Sequence, residues 1–173
     1  METMTDNQRL LRLARFWLAL FIVGLVLSGL TAFPLETELR WLVSRLPDSA
    51  SIRPSALTAW LVRVRDALAE TNSHYPFLAY GTDWLAFAHL AIAVAFVGPL
   101  CDPIRNVWVV DFGLIACALV IPLALIAGAV RSIPFGWRLI DCSFGLFGAI
   151  PLFIVRRLIG QLIRTREIRP LET

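Results

Sequence analysis

Tyr80, Asp83, His89, Arg131, Arg138 and Asp141 are polar side chains that fall at the edges of, or inside, otherwise almost wholly apolar stretches. Histidine is the side chain whose unperturbed proton equilibrium lies nearest neutrality. An aspartate beside it would orient the ring, and the pair would suit proton transfer. Arginines nearby would hold an anionic headgroup. His89 and Asp141 are therefore the candidate catalytic pair, and Asp83, Arg131, Arg138 and Tyr80 the candidate ligand-binding residues.

Helical geometry limits how these groups combine. His89 lies six residues past Asp83, about 9 Å further along a helix. The two are about 120° apart around that helix, so they do not form one tight pair. His89 shares its face with Ala86, Ala93 and Phe96, and Asp141 shares its face with Arg138, Gly145 and Gly148. Those small residues let a neighbouring helix come close, which makes Asp141 the better partner for His89. Blander explanations stand beside this one. Asp83 is placed to cap its helix, Asp141 to pair with Arg131 or Arg138, and Asp111 to pair with Arg105 or an arginine of the C-terminal tail. His89 is placed to make a structural hydrogen bond between helices.

The positions of these residues are set by four apolar stretches, each opened by a tryptophan: Trp17, Trp84, Trp108 and Trp137. A hydrocarbon core of about 30 Å requires about 20 apolar residues per helix. The pattern predicts membrane-spanning helices at about 16–33, 84–100, 107–130 and 137–155 in a 173-residue chain with mean hydropathy +0.72. The expected fold is an all-α, four-helix membrane bundle forming a single domain. Two amphipathic helices are expected in the long first loop, forming an outer cap over about 35–70. One set is Leu35, Leu39, Leu42, Val43 and Leu46. The other is Leu57, Trp60, Leu61, Val64 and Leu68, after a start at Pro54-Ser55, with a turn at Pro47-Asp48-Ser49 between the sets. Asn72 to Phe77 reads as an extended lead into the second span, and Gly98-Pro99 as its end. Pro122 and Pro151 fall inside the last two spans. Gly24, Ser28 and Thr31 on the first span, and Gly113 and Cys117 on the third, mark close-packing faces.

All 16 basic residues are arginine, and the formal net charge is +3. Arg9, Arg12 and Arg15 precede the first span, Arg105 sits in the second loop, and Arg156, Arg157, Arg164, Arg166 and Arg169 follow the fourth. By the positive-inside rule both termini are expected in the cytoplasm. The first loop, with Arg40, Arg45, Arg53, Arg63 and Arg65, runs against that bias, and at about 50 residues it is long enough for the rule to weaken. The charge gives no indication of nucleic acid. Cys101, Cys117 and Cys142 have neither metal-ligand nor disulfide spacing, so no metal site is expected. A b-type haem would need a second axial imidazole, and His74, the other histidine, precedes the span. The sequence names no cofactor.

The runs Tyr75-Pro76-Phe77-Leu78-Ala79-Tyr80-Gly81-Thr82-Asp83-Trp84, Asp102-Pro103-Ile104-Arg105-Asn106-Val107-Trp108 and Arg138-Leu139-Ile140-Asp141-Cys142 resemble segments of small bacterial membrane proteins known mainly as uncharacterised open reading frames. The resemblance covers under half of the chain. It implies a bacterial four-helix inner-membrane protein and no activity. Two functions stay open from sequence. One is binding or processing of an amphiphile (lipid, isoprenoid or quinone) at an outer-leaflet polar site. The other is a non-catalytic accessory or homo-oligomeric subunit of a membrane complex.

Overall fold

The computed structural model describes residues 2–45 and 55–168. The turn expected at Pro47-Asp48-Ser49, together with Leu46, Arg53, Pro54 and Arg169, lies outside the described residues. Among the described residues the chain is all-helical: α1 (Glu2–Ala32), α2 (Leu35–Ser44), α3 (Ala56–His74), a 3-10 turn (Pro76–Ala79), α4 (Tyr80–Ala95), α5 (Val97–Cys101), α6 (Val107–Val130) and α7 (Phe135–Ile168). Four segments are long and apolar enough to cross a membrane: Asp6–Ala32, Pro76–Cys101, Val107–Val130 and Phe135–Thr165. All four begin before the tryptophans that open them in the sequence, the third by a single residue. A helix needs no apolar residue to continue into the aqueous boundary, so hydropathy underestimates its length.

The chain forms two compact units, Met1–Leu25 with Ile92–Thr173, and Val26–Ala91. The core of the first unit is Leu18, Phe96, Val109, Val110, Leu152, Val155 and Ile159, with the Phe21 and Phe96 rings 4.7 Å apart. α6 and α7 pack against each other through the small residues expected to do so. A Cβ at residue 145 would stand 2.5 Å from the Cys117 carbonyl oxygen, and one at residue 148 would stand 3.0 Å from the Cys117 Sγ. Phe112, Ile115, Leu119, Leu123 and Ile126 lie on the remaining surface of α6 and are exposed. Such a contiguous apolar surface is unfavourable in water and at home in hydrocarbon.

The turn between α6 and α7 follows from its hydrogen bonds. Ser132 adopts φ 55°, the Ser132 amide donates to the Ala129 carbonyl and the Ile133 amide donates to the Gly128 carbonyl. This is a Schellman closure, which satisfies the last carbonyls of α6 and is followed by a proline, Pro134, that cannot continue the helix. The Arg138 side chain lies over Gly128, and its Nε donates to the Ile133 carbonyl at 2.7 Å.

At the other end of this unit the open backbone groups are satisfied by side chains. Arg15 donates from Nε to the Leu100 carbonyl and from Nη2 to the Cys101 carbonyl, each at 3.1 Å. Asn106 Nδ2 donates to the Gly98 and Asp102 carbonyls, and the Asp102 carboxylate accepts from the Arg105 amide. Asp111 pairs with Arg156, Oδ1 to Nε at 2.6 Å, so an arginine following the last apolar stretch is the partner rather than Arg105.

Three local expectations are corrected. Gly98-Pro99 does not end the second span. The Pro99 ring crowds the Ala95 carbonyl four residues back, which interrupts the helix at Phe96 before α5 resumes to Cys101. Asn72 to Phe77 is not extended, because α3 runs to His74 and Pro76 starts the 3-10 turn. Gly24, Ser28 and Thr31 are not a packed face: nothing lies within 4 Å of a Cβ at residue 24. The close approach on α1 is at Gly29. α6 and α7 run unbroken through Pro122 and Pro151.

Gly145→Ala is expected to destabilise the protein by about 1–3 kcal/mol through overpacking, whereas Gly24→Ala leaves stability unchanged or slightly raised. Ser132→Gly is expected to stabilise by about 1 kcal/mol, since it relieves a left-handed backbone in an L-residue. Reversible unfolding in mixed detergent micelles measures all three.

Candidate functional site

Val26–Ala91 contains a cleft of about 270 Å³ at the C-terminal end of α1 and the N-terminal end of the second span. Phe33, Pro34 and Leu35 form one wall, Leu68, Thr71 and Asn72 of α3 another, and Leu78, Thr82 and Asp83 a third. The local reasons for this shape are legible. Pro34 stands at the N-terminus of α2, and Glu36 and Glu38 in the first turn favour its dipole. Ser55 caps α3, its Oγ accepting from the Thr58 amide at 3.1 Å. Tyr75 reverses the chain from α3 into Pro76.

Glu36 holds the α2 wall to the α3 wall. Its Oε2 accepts from Asn72 Nδ2 at 2.6 Å, and its Oε1 pairs with Arg40 one turn along α2. The hydrogen bond from Asn72, joined by the Arg40 guanidinium and opposed by burial, holds the Glu36 carboxyl below its ordinary value of 4.5. Neither Glu36 nor Asn72 stood out in the sequence. Their pairing spans 36 positions, and only the i to i+4 spacing of Glu36 and Arg40 was there to be read.

The six residues singled out by sequence divide between the two units. Asp83, Tyr80 and His89 belong to the second. Asp83 is half-buried and lines the cleft. It is not the N-cap, since α4 begins three residues earlier at Tyr80, but it stands in the first turn of α4, where a carboxylate favours the helix dipole. Tyr80 is exposed and sits edge-on to Trp84, ring centroids 6.0 Å apart. His89 is half-buried, and its Nδ1 lies 2.8 Å from the Leu85 carbonyl. A carbonyl only accepts, so Nδ1 is the donor, and in the neutral ring Nε2 is then the free acceptor. The hydrogen bond therefore runs within α4 rather than between helices. Gly29 packs α1 beside this histidine: a Cβ there would stand 2.9 Å from the Ala86 carbonyl oxygen and 3.2 Å from His89 Cβ.

Arg131, Arg138 and Asp141 belong to the first unit. Arg131 is the exposed C-cap of α6. Arg138 serves the Ile133 carbonyl, and Asp141 is half-buried one turn along α7. The ion pair expected between Asp141 and Arg131 or Arg138 does not form among the described residues; Arg138 turns toward the carbonyl left open by the Schellman turn. Among the described residues no group of three or more His, Cys, Asp or Glu side chains is placed to hold a metal ion.

The cleft offers carboxylates, threonine hydroxyls and an amide beside apolar walls. Chemically it suits a group that donates hydrogen bonds at one end and is apolar at the other. The chain matches no protein-family model, no curated protein and no solved structure.

The lowered Glu36 carboxyl contributes stability that is fully present above its ordinary value of 4.5 and is lost as pH falls through the depressed folded value. The melting-temperature difference between the parent protein and Asn72→Ala is therefore expected to be constant above about pH 5.5 and to shrink as the solution is acidified below about pH 4.5.

Proposed function

We propose that this chain is a four-span bundle protein of the bacterial inner membrane, with both termini cytoplasmic, that binds the polar headgroup of an amphiphile (a lipid, isoprenoid or quinone) at its outer face. The observation that carries this reading is the cleft built where α1 ends and the second span begins, with polar groups on apolar walls. α2 and α3 flank the end of α1 and the start of the second span, and exposed Trp41, Tyr75, Phe77, Tyr80 and Trp84 are the kind of aromatic side chains that settle at a bilayer surface. Orientation rests on the arginine distribution. Arg9, Arg12, Arg15, Arg105, Arg156 and Arg157 flank the ends assigned to the cytoplasm.

Glu36 and Asp83 favour a headgroup bearing hydroxyl or amine donors. His89 is the proton acceptor if the bound amphiphile is processed as well as held. Tyr80, in the same unit as the cleft, completes the proposed ligand set.

A second reading, a homo-oligomeric or accessory subunit, is favoured by one specific observation. Gly24, Ser28 and Thr31 form an exposed small-residue face on a span, open to another helix.

Lipid extraction and mass spectrometry of the gently purified protein separate these readings. The amphiphile reading expects a stoichiometric co-purifying compound, lost by at least tenfold in Asp83→Leu and retained in Gly24→Ile. A chain whose co-purifying compounds are unchanged in Asp83→Leu, and whose discrete oligomer is dispersed by Gly24→Ile, would establish the subunit reading instead.

A further inference from the structure

A second groove, of about 490 Å³, lies in the unit formed by Met1–Leu25 and Ile92–Thr173, between the first turns of α1 and the last turns of α7. Beyond it Ala14 and Leu18 of α1 and Leu158, Ile159 and Leu162 of α7 are buried, and Leu18 and Ile159 belong to the same core. Leu10 and Leu13 supply the apolar floor of the groove, and Asn7, Arg9, Gln161 and Thr165 supply its rim. One carboxylate, Asp6, also faces it.

The arginines at this end of the unit fall into two groups. Arg15 is committed to the Leu100 and Cys101 carbonyls, Arg156 to Asp111, and Arg157 to the Phe153 ring at 4.8 Å. Arg9, Arg12 and Arg164 make no ion pair among the described residues. Arg12 follows Arg9 by one turn of α1, and Arg164 precedes Thr165 on α7. Of these only Arg9 lines the groove, opposite Asp6, but the sequence over 2–15 and 156–168 carries seven arginines against Glu2, Asp6 and Glu167, so this end of the two helices is formally positive around a donor-rich rim. Guanidinium, amide and hydroxyl donors are the groups that recognise a phosphodiester, and the leucine floor accepts the chain attached to it.

We propose that this groove binds an anionic phospholipid. Arg9 meets the phosphodiester, Asn7, Gln161 and Thr165 donate to its remaining oxygens, and an acyl chain lies along Leu10 and Leu13. This site is independent of the cleft lined by Glu36 and Asp83 and shares no residue with it.

The test is native mass spectrometry of the full chain released from phosphatidylcholine nanodiscs containing phosphatidylglycerol. The wild-type protein retains phosphatidylglycerol in preference to phosphatidylcholine. Arg9→Gln lowers that preference about fivefold, the usual weight of one arginine at an anionic surface. Thr165→Glu, which sets a charge against the phosphodiester, lowers it at least as far. Arg63→Gln, an exposed arginine of α3, leaves it unchanged, and soluble glycerol phosphate does not displace the lipid. Equal retention of the two lipids, an equal fall in Arg9→Gln and Arg63→Gln, or displacement by glycerol phosphate would each overturn the proposal. Melting curves identify any variant that loses the fold, and the remaining variant then decides.

Discussion

The contact on which the described structure most depends is the backbone approach of α7 to α6 at Gly145, where only a missing side chain leaves room for the Cys117 carbonyl. Helices in hydrocarbon gain nothing from hiding apolar surface, since lipid tails are as apolar as leucine. Their association depends on dispersion contacts, which fall off steeply with distance. One close glycine approach fixes the helix separation, and the Schellman turn at Ser132 fixes how the chain returns. Leu152, Val155 and Ile159 then meet Val109, Val110 and Phe96 in a single core. Asp111 and Arg156 meet on the same helix pair, so two groups that are expensive near lipid neutralise each other.

Polar groups in this chain are spent largely on finishing helices. Arg15, Asn106, Asp102 and Arg138 all answer carbonyls or amides that a helix end leaves open. This narrows the search for functional groups to those whose partners the backbone does not claim. Asp83 and the walls of its cleft are one such set, and the rim around Arg9 is another. Both pair hydrogen-bonding groups with apolar surface, the combination an amphiphile requires.

Much of the architecture was legible because spanning segments have a strong compositional signal. The third span matches its expectation, 107–130, to the residue. The facing stripes on α6 and α7 were legible because Gly145, Gly148 and Cys117 repeat on helical spacing. The equivalent reading failed on α1. Gly24 and Gly29 are both small, and which one is covered depends on where α4 lies, a tertiary fact. Pro99 was misread because proline interrupts a helix without always ending it. The cleft was only partly legible. Asp83 stood out as a charge at an apolar boundary, but Glu36 and Asn72 look like solvated residues on amphipathic helices until the fold brings them together. His89 drew notice for its basic nitrogen, and the structure locates its hydrogen bond within its own helix.

The central claim is that the spans cross a bilayer with the polar cleft facing outward and the arginine-rich ends inward. Single cysteines introduced at Ser73, beside the cleft, and at Arg105, in the turn before α6, test it most directly. Each would be placed in a chain whose native cysteines are replaced, and probed in intact cells with a membrane-impermeant maleimide. The account predicts that Ser73→Cys is labelled from outside and that Arg105→Cys is labelled only after lysis. Labelling of Arg105→Cys in intact cells, or protection of Ser73→Cys, would contradict it.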